Sequence, residues 1–443
     1  MANDLAKNKF HSRPHRHHYD AEMLDVDVAR ERILSFFEVL PGTNELPIDA
    51  LGQVLAQDIT ADFDIPSLTN SAMDGYALRS CDIQSAATNK PTTLRVIGLV
   101  SAGELPSETV VEGSAVRIMT GAPIPEGADC VVPFEDTDES ERNEKRNGPS
   151  EIRVNLRMGP GDNIRAAGED VRAGSIVMTA GTELRPSEVG VVASLGHATV
   201  KVHRRPRVSI VGTGNELIEP GEEHQPGFVF DSNSYSVAAC VQRCGGIPVL
   251  SGISKDSIAD LNNTLDHALE GVDMVITSAG VSKGDYDIVK DVLSQRGEIA
   301  LWSVRMRPAK PLAFGVLNGR GGQGVPHLGL PGNPVSAMVA FEQFARPAIR
   351  KMMGKAQTER PTVTAVLDDP IENHDGRRVY ARVFVYLDTE GIYRARSTGS
   401  QSSNVLTSMA SANGLAICPH DRDRLNVGDV AKVQMLDWPE NVF

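Results

Sequence analysis

The chain has 443 residues, 41% hydrophobic and 23% charged, a composition that marks a soluble globular protein and excludes a disordered one. Lys+Arg number 44 against 58 Asp+Glu, and the net charge of −14 argues against a nucleic-acid or anionic-membrane binder, which would need a basic surface. Small anionic ligands stay open, because a local patch of donors suffices for them; the length alone predicts about three domains.

The first 20 residues are polar, with His11, His15, His17 and His18 among Arg, Lys and Asn. They read as a disordered tail without the apolar core of a secretory signal. Val28, Ile33, Phe36, Phe37 and Leu40 recur at helical spacing, which predicts a helix from Val26 stopped by Pro41-Gly42. A second short helix is expected over Ile48 to Gln57. From Leu94 to Glu188 short apolar runs between Gly, Pro and Asp turns predict strands, at Leu94–Ile97, Ala115–Met119 and Ser175–Met178. Glu135 to Gly148 carries mixed charge and reads as a solvated hairpin loop.

The pattern changes at Arg207. Val208–Val211 is a buried-type strand running into Gly212-Thr213-Gly214-Asn215-Glu216. A second strand, Asp273 to Thr277, runs into Ser278 to Asp287 and a helix, Ile288 to Gln295. A third, His327 to Leu330, runs into Pro331-Gly332-Asn333-Pro334 and a long helix, Val335 to Met353. Three strand–loop–helix units predict a central α/β domain with a largely parallel sheet. Strands at Arg378–Leu387, Gly391–Ser397 and Asp429–Leu436 predict a small C-terminal β domain. Gly321 to Phe341 is long and uncharged, but its three prolines exclude a spanning helix. The five cysteines are odd in number and scattered, and Cys240 and Cys244 have helical rather than metal-site spacing. Buried reduced thiols and a cytoplasmic protein follow.

Ligands of an open α/β sheet bind at the carboxyl ends of its strands, where glycines let backbone amides approach a phosphate. Three such loops in one domain point to a phosphorylated ligand. Leu217 stands where a dinucleotide fingerprint needs its third glycine, so NAD is disfavoured, and no P-loop sequence occurs. Gly280-Val281-Ser282-Lys283-Gly284 matches a hydrolase nucleophile elbow, with His327, His374 and His420 as downstream bases, but no oxyanion loop accompanies it. Glu216, Asp285 and Asp287 lie beside the anion-binding loops, which suggests Mg²⁺ between acid and phosphate; Asp285 also reads as a helix cap. Arg305-Met306-Arg307-Pro308-Ala309-Lys310-Pro311 concentrates positive charge on an extended segment. Asn70–Ala77 and Asn163–Asp170 place acids around glycines and could be either turns or sites.

These segments together resemble the molybdopterin molybdenumtransferase family, the bacterial relatives of the gephyrin E domain. The resemblance runs in order from about Asp20 to the end: Ser71–Ala77, Met119–Pro123 through Gly127-Ala128-Asp129 to Glu135, Asn163–Asp170, Gly212–Leu217, Ala279–Asp287, Leu330–Ser336 and Ser411–Leu415. It implies homodimers of four-domain subunits. Residues 21–66 and 157–192 would form a discontinuous N-terminal domain, 67–156 an inserted β domain, 193–355 the α/β molybdopterin-binding domain and 356–443 the C-terminal β domain. The implied reaction inserts molybdenum from molybdate into adenylylated molybdopterin and releases AMP, with Mg²⁺ as helper. The family's acidic positions match Asp74, Asp170, Glu216 and Asp287. Glu216 and Asp287 are expected to handle Mg²⁺ and pyrophosphate, and Asp74 and Asp170 to come from the facing subunit, so that the site lies at the subunit interface. Thr213, Gly214, Gly280, Ser282, Gly284, Pro331, Gly332, Asn333 and Pro334 would shape the substrate pocket. Arg307 and Lys310 would neutralise molybdate and phosphate, and Ser402 would join them from the C-terminal domain. Ala279 and Ala309 depart from the family's usual glycines, each adding a methyl beside a backbone meant to approach an anion. A pterin-binding scaffold without turnover is the rival reading; the retained acids speak against it.

Overall fold

The computed structural model describes residues 23–139, 149–279, 288–319, 322 and 324–438. The chain packs as two compact units, one of Gln57–Thr182 with Pro186–Ala198, the other of the segment up to Ala56, Glu183–Arg185 and Thr199 onward. The four-domain partition is finer than this division.

In the smaller unit, strands β1 (Asn70–Ser71), β2 (Gly75–Leu78), β3 (Thr92–Val100), β4 (Ser114–Ile118), β5 (Cys130–Pro133), β6 (Glu151–Val154) and β7 (Ile164–Arg165) carry the motifs. Five of them form a sheet in the order β5-β2-β4-β3-β6. Side chains alternate between its faces, and both faces are apolar. Tyr76, Leu78, Cys130 and Val132 enter one cluster, while Ala77 and Val131 enter another. A strand buried on both sides reads as a continuous apolar run, as Cys130–Val132 does.

The larger unit begins with α1 (Val26–Leu34), capped by Asp25, which accepts the Asp27 N–H at 2.8 Å; Val26, Ala29 and Ile33 line its buried face. The helix expected over Ile48–Gln57 does not form. Gly52 adopts φ 75° and donates to Leu184 O at 2.7 Å, and Val54 and Leu55 pair as bridges with Glu183 and Val202. A left-handed residue cannot continue a right-handed helix, and the bridges bury Val54 and Leu55 instead.

The central sheet is built from β8 (Arg207–Thr213), β9 (Ile247–Ser254), β10 (Met274–Ser278), β11 (Gly297–Ser303), β13 (Pro311–Asn318) and β14 (Gly324–Leu330), with β12 (Met306–Arg307) leaving it. Its order is β9-β8-β10-β14-β13-β11, the first four strands parallel and β13 antiparallel to both of its neighbours, β14 and β11. Helices α2 (Ser232–Arg243) and α3 (Ile258–Ala268) pack against the parallel strands β8 and β9, whereas α4 (Ile288–Arg296) packs against β11 and β13. The long helix expected from Val335 forms as α5 (Pro334–Ala340), a π segment (Phe341–Ala345) and α6 (Arg346–Met352). Pro347 has no N–H to donate to Gln343, and the turn ahead of it opens to π geometry. The C-terminal strands β15 (Thr362–Leu367), β16 (Arg378–Leu387), β17 (Tyr393–Ser397), β18 (Gly414–Cys418) and β19 (Val430–Met435) run β16-β17-β15-β19-β18, and a β16–β18 pairing closes the ring. Closure removes the exposed edges.

The cysteines are free thiols; Cys81 is exposed, against the expectation of burial for all five. Burial pushes the Cys130 and Cys240 thiols up to about 12 and Cys244 to about 11. No described helix is long and apolar enough to cross a membrane.

Candidate functional site

In the larger unit β8, β10 and β14 are parallel, and their register sets Gly212 opposite Ser278 and Ser278 opposite Leu330. Their following loops therefore leave one edge side by side, where ligands of such sheets bind. Hydrogen bonds tie the strand ends and loops together. Thr213 donates its hydroxyl to Ser278 O at 2.7 Å, the Ala279 N–H donates to Leu330 O at 3.0 Å, and Asn233 Nδ2 donates to Gly332 O at 2.8 Å. Gly214 has φ 148°, a backbone conformation that favours glycine, and the Glu216 carboxylate lies close by, its Oε2 2.5 Å from where a Gly214 Cβ would stand. Glu216 is exposed beside it, as are Gly332 and Asn333. Pro334 opens α5, where its missing N–H costs nothing. Gly280, Ser282, Gly284 and Asp287 lie outside the described residues.

Two alanines at this edge hold glycine-like conformations, Ala279 at φ 75° and Ala309 at φ 71°. The Ala309 methyl is buried in the main core cluster, whereas Ala279 is half-buried and its methyl lies 3.2 Å from where a Gly332 Cβ would stand.

Because β13 runs antiparallel to β14 with Ala313 opposite Gly329, its first residue and the preceding Lys310 lie at the end where Pro331–Pro334 leaves. The Val335 N–H donates to Ser403 O at 3.1 Å, which brings the turn holding exposed Ser402 to the same end. Arg307 donates to Glu372 O and lines a cavity of about 210 Å³ with Pro308, Asp369, Glu372, Arg382 and Gln401. Sequence reasoning missed Arg382. It is 1% exposed, and it donates to Ser408 Oγ at 2.8 Å, Ser400 O at 2.8 Å and Ser402 O at 3.1 Å. Among the described residues no carboxylate pairs with its guanidinium, and burial lowers its pKa while leaving an arginine protonated. A lone cation in the apolar run Val379–Val385 was the available signal, since arginine is almost never fully buried unpaired.

The smaller unit gathers the remaining motifs. Asn70 pairs with Arg165 and Ser71 with Ile164; the Ala72 N–H donates to Asn163 O at 2.9 Å, and the Gly121 N–H to Ser71 O at 2.8 Å. Ser71–Ala77, Met119–Pro123 and Asn163–Asp170 are thus one cluster. Asp74 accepts two bonds from Thr120, which hold its carboxyl below the ordinary range. Asp170 is exposed, its N–H on Ile65 O at 3.0 Å, and Gly168 turns at φ 70°. The site residues therefore fall into two sets: Asp74 and Asp170 in the smaller unit, Thr213, Gly214, Glu216, Arg307, Lys310, Pro331–Pro334 and Ser402 in the larger.

Among the described residues no three His, Cys, Asp or Glu side chains form a ready metal cage. His327, a base for the hydrolase reading, is fully buried with Nε2 on Thr277 Oγ1 at 3.0 Å, and burial lowers its pKa to about 3. It is a core histidine.

Comparison with known proteins covers the same ground. Residues 24–196 match the MoeA N-terminal region (domain I and II), 209–351 a probable molybdopterin binding domain, and 364–436 the MoeA C-terminal region (domain IV). The chain is 34% identical to a molybdopterin molybdenumtransferase of Haemophilus influenzae over 93% of its own length and 98% of the relative's. It is 37% identical to one from Nostoc sp., covering 87% of each chain. The crystal structure of a molybdopterin biosynthesis moeA protein from Pyrococcus horikoshii OT3 is similar at TM-score 0.74 and 29% identity, over 94% of this chain and 100% of that one.

Proposed function

The chain belongs to the molybdopterin molybdenumtransferase family, and from that premise we propose how its residues serve the transfer of molybdenum in cofactor biosynthesis. The substrates are adenylylated molybdopterin and molybdate, and the products are the molybdenum cofactor and AMP. The observation that supports this reading is the register of Gly212, Ser278 and Leu330, which brings the ends of three parallel strands side by side on one edge, where an anionic, phosphorylated ligand would bind.

Thr213, Gly214, Gly280, Ser282, Gly284 and the Pro331–Pro334 loop hold the pyrophosphate and pterin. Mg²⁺ takes few protein ligands and completes its shell with phosphate oxygens and water, so an exposed acid such as Glu216, with Asp287, fits it without a cage. Bound there, it would offset charge on the pyrophosphate. Arg307, Lys310 and Ser402 take molybdate, and buried Arg382 adds a positive field in the cavity it shares with Arg307. Asp74 and Asp170 reach the site from the facing subunit of a homodimer in the cytoplasm.

The deciding assay is molybdate-dependent AMP release from adenylylated molybdopterin. Release is expected, with Glu216→Gln raising the Mg²⁺ requirement roughly tenfold through the loss of one charged ligand. Binding without release would favour the pterin scaffold instead. Labelling of Ser282 by a fluorophosphonate would favour the hydrolase, and none is expected.

A further inference from the structure

The first turn of α2 carries two polar atoms that the account above leaves unused. Asp231 caps this helix, its Oδ1 accepting the Ser234 N–H at 3.0 Å, so a buried carboxylate already meets the positive end of the dipole. A phosphate is disfavoured there. Asn233 donates through Nδ2 to Gly332 O, and only nitrogen can donate to a carbonyl, which settles which way the amide points. Its Oδ1 then has no partner among the described residues, and neither has Ser234 Oγ, although the residues are only 8% and 5% exposed. Ser234 Oγ lies 3.3 Å from where a Gly212 Cβ would stand. Both residues therefore sit against the strand ends and loops that form the ligand edge. Buried polar atoms are nearly always paired, so an acceptor and a hydroxyl left over at this edge call for donors from elsewhere.

We infer that Asn233 Oδ1 and Ser234 Oγ receive the N–H groups of a pterin ring, those of its 2-amino-4-oxopyrimidine edge, while the anionic groups of the same ligand go to the glycine loops. The inference rests on the pterin substrate proposed above and assigns the end of the ligand that charge alone leaves unplaced. Both atoms are buried, so engagement requires the groups that cover them to shift while the Nδ2 bond to Gly332 O keeps the Asn233 amide oriented.

Fluorescence titration of the full chain with pterin-6-carboxylate and lumazine-6-carboxylate tests this. The two probes differ at the 2-position, where lumazine carries an oxo acceptor in place of the amino donor. The wild-type protein is expected to prefer the pterin by about tenfold or more, since a site built for a donor rejects an analogue lacking it. Asn233→Ala and Ser234→Ala are each expected to reduce that ratio several-fold. A merely structural role would weaken both probes together and leave the ratio intact, which would overturn the inference. Equal affinity in the wild type would overturn it as well, and that comparison, with Ser234→Ala, decides the matter should Asn233→Ala fail to fold. Loss of molybdate-dependent AMP release is a separate readout, so failure of the enzyme reading is distinguishable from failure of this one.

Discussion

Thr120 donates both its backbone N–H, at 2.6 Å, and its hydroxyl, at 2.8 Å, to the same Oδ1 of Asp74. Two donors on one oxygen favour the charged form, so this exposed carboxylate is ionised at neutral pH and held in one orientation. Thr120→Val keeps the N–H bond and loses the hydroxyl, and the Asp74 carboxyl should then titrate closer to the ordinary range by NMR. Asp74→Asn should lower AMP release roughly 10²-fold or more, the scale of a positioned charged group, with the fold preserved. Because the folded pKa lies below the unfolded one, the stabilisation is present at neutral pH and is lost as pH falls through the acid range. Unchanged turnover in Asp74→Asn would remove this residue from the site.

Ala279 and Ala309 share a left-handed backbone but should respond differently to glycine. A left-handed alanine costs about 1–2 kcal/mol, and glycine returns part of that in unfolded-state entropy, about 0.5–1 kcal/mol. Ala279→Gly should therefore stabilise the protein by about 0.5–1 kcal/mol in denaturant titrations. Ala309→Gly also removes a buried methyl worth about 0.8 kcal/mol, so its net effect should be near zero or destabilising. Equal gains at both positions would contradict this account.

Arg382 poses a contest between lost hydrogen bonds and relieved desolvation. Arg382→Met strips donors from Ser400 O, Ser402 O and Ser408 Oγ, each bond to a charged group being worth about 1.5–3 kcal/mol. It also ends the burial of an unpaired cation, a penalty of several kcal/mol. These nearly offset, so stability should change by no more than about 2 kcal/mol. The molybdate concentration needed for half-maximal AMP release should rise about tenfold or more, since the cavity loses its buried charge. An unaltered molybdate dependence would separate Arg382 from substrate binding.

His327 predicts a pH dependence of stability. Folded, it stays neutral down to about pH 3, while the unfolded side chain takes up a proton near pH 6.5. Unfolded chains therefore bind more protons between those values, and stability should fall as pH drops below about 6.5, by up to roughly 1.4 kcal/mol per pH unit. Denaturant midpoints measured from pH 7.5 to 5 should show this slope, and His327→Gln should flatten it. A slope equal in the two proteins would assign the effect to other groups.

Local signals were enough for the central strands and their loops. β8, β10 and β14 are short apolar runs ended by Gly or Pro, and such punctuation is written in neighbouring residues. The segment Ile48–Gln57 failed the same test. Its apolar spacing suits a helix, yet Val54 and Leu55 are claimed by Glu183 and Val202, partners far along the chain. Closure of the C-terminal ring through β16 and β18 was equally invisible, because cross-strand pairing has no local signature. Arg382 was overlooked because only packing reveals that its strand position is sealed.

By itself the sequence determined the family, the strand–loop–helix grammar of the central domain, and the residue types at each loop. The net charge of −14 also argued against a nucleic-acid binder while leaving small anions open. Only the tertiary structure decided which motifs meet: Ser71 beside Ile164, Gly212 beside Ser278, and Ser278 beside Leu330. It alone showed that Ala279 and Ala309 bear the backbone geometry of glycine, and that Asn233 and Ser234 end without partners among the described residues. The division has one physical cause. Propensity, capping and turn chemistry act over a few residues, whereas register, burial and hydrogen-bond satisfaction depend on groups that only the folded chain brings together.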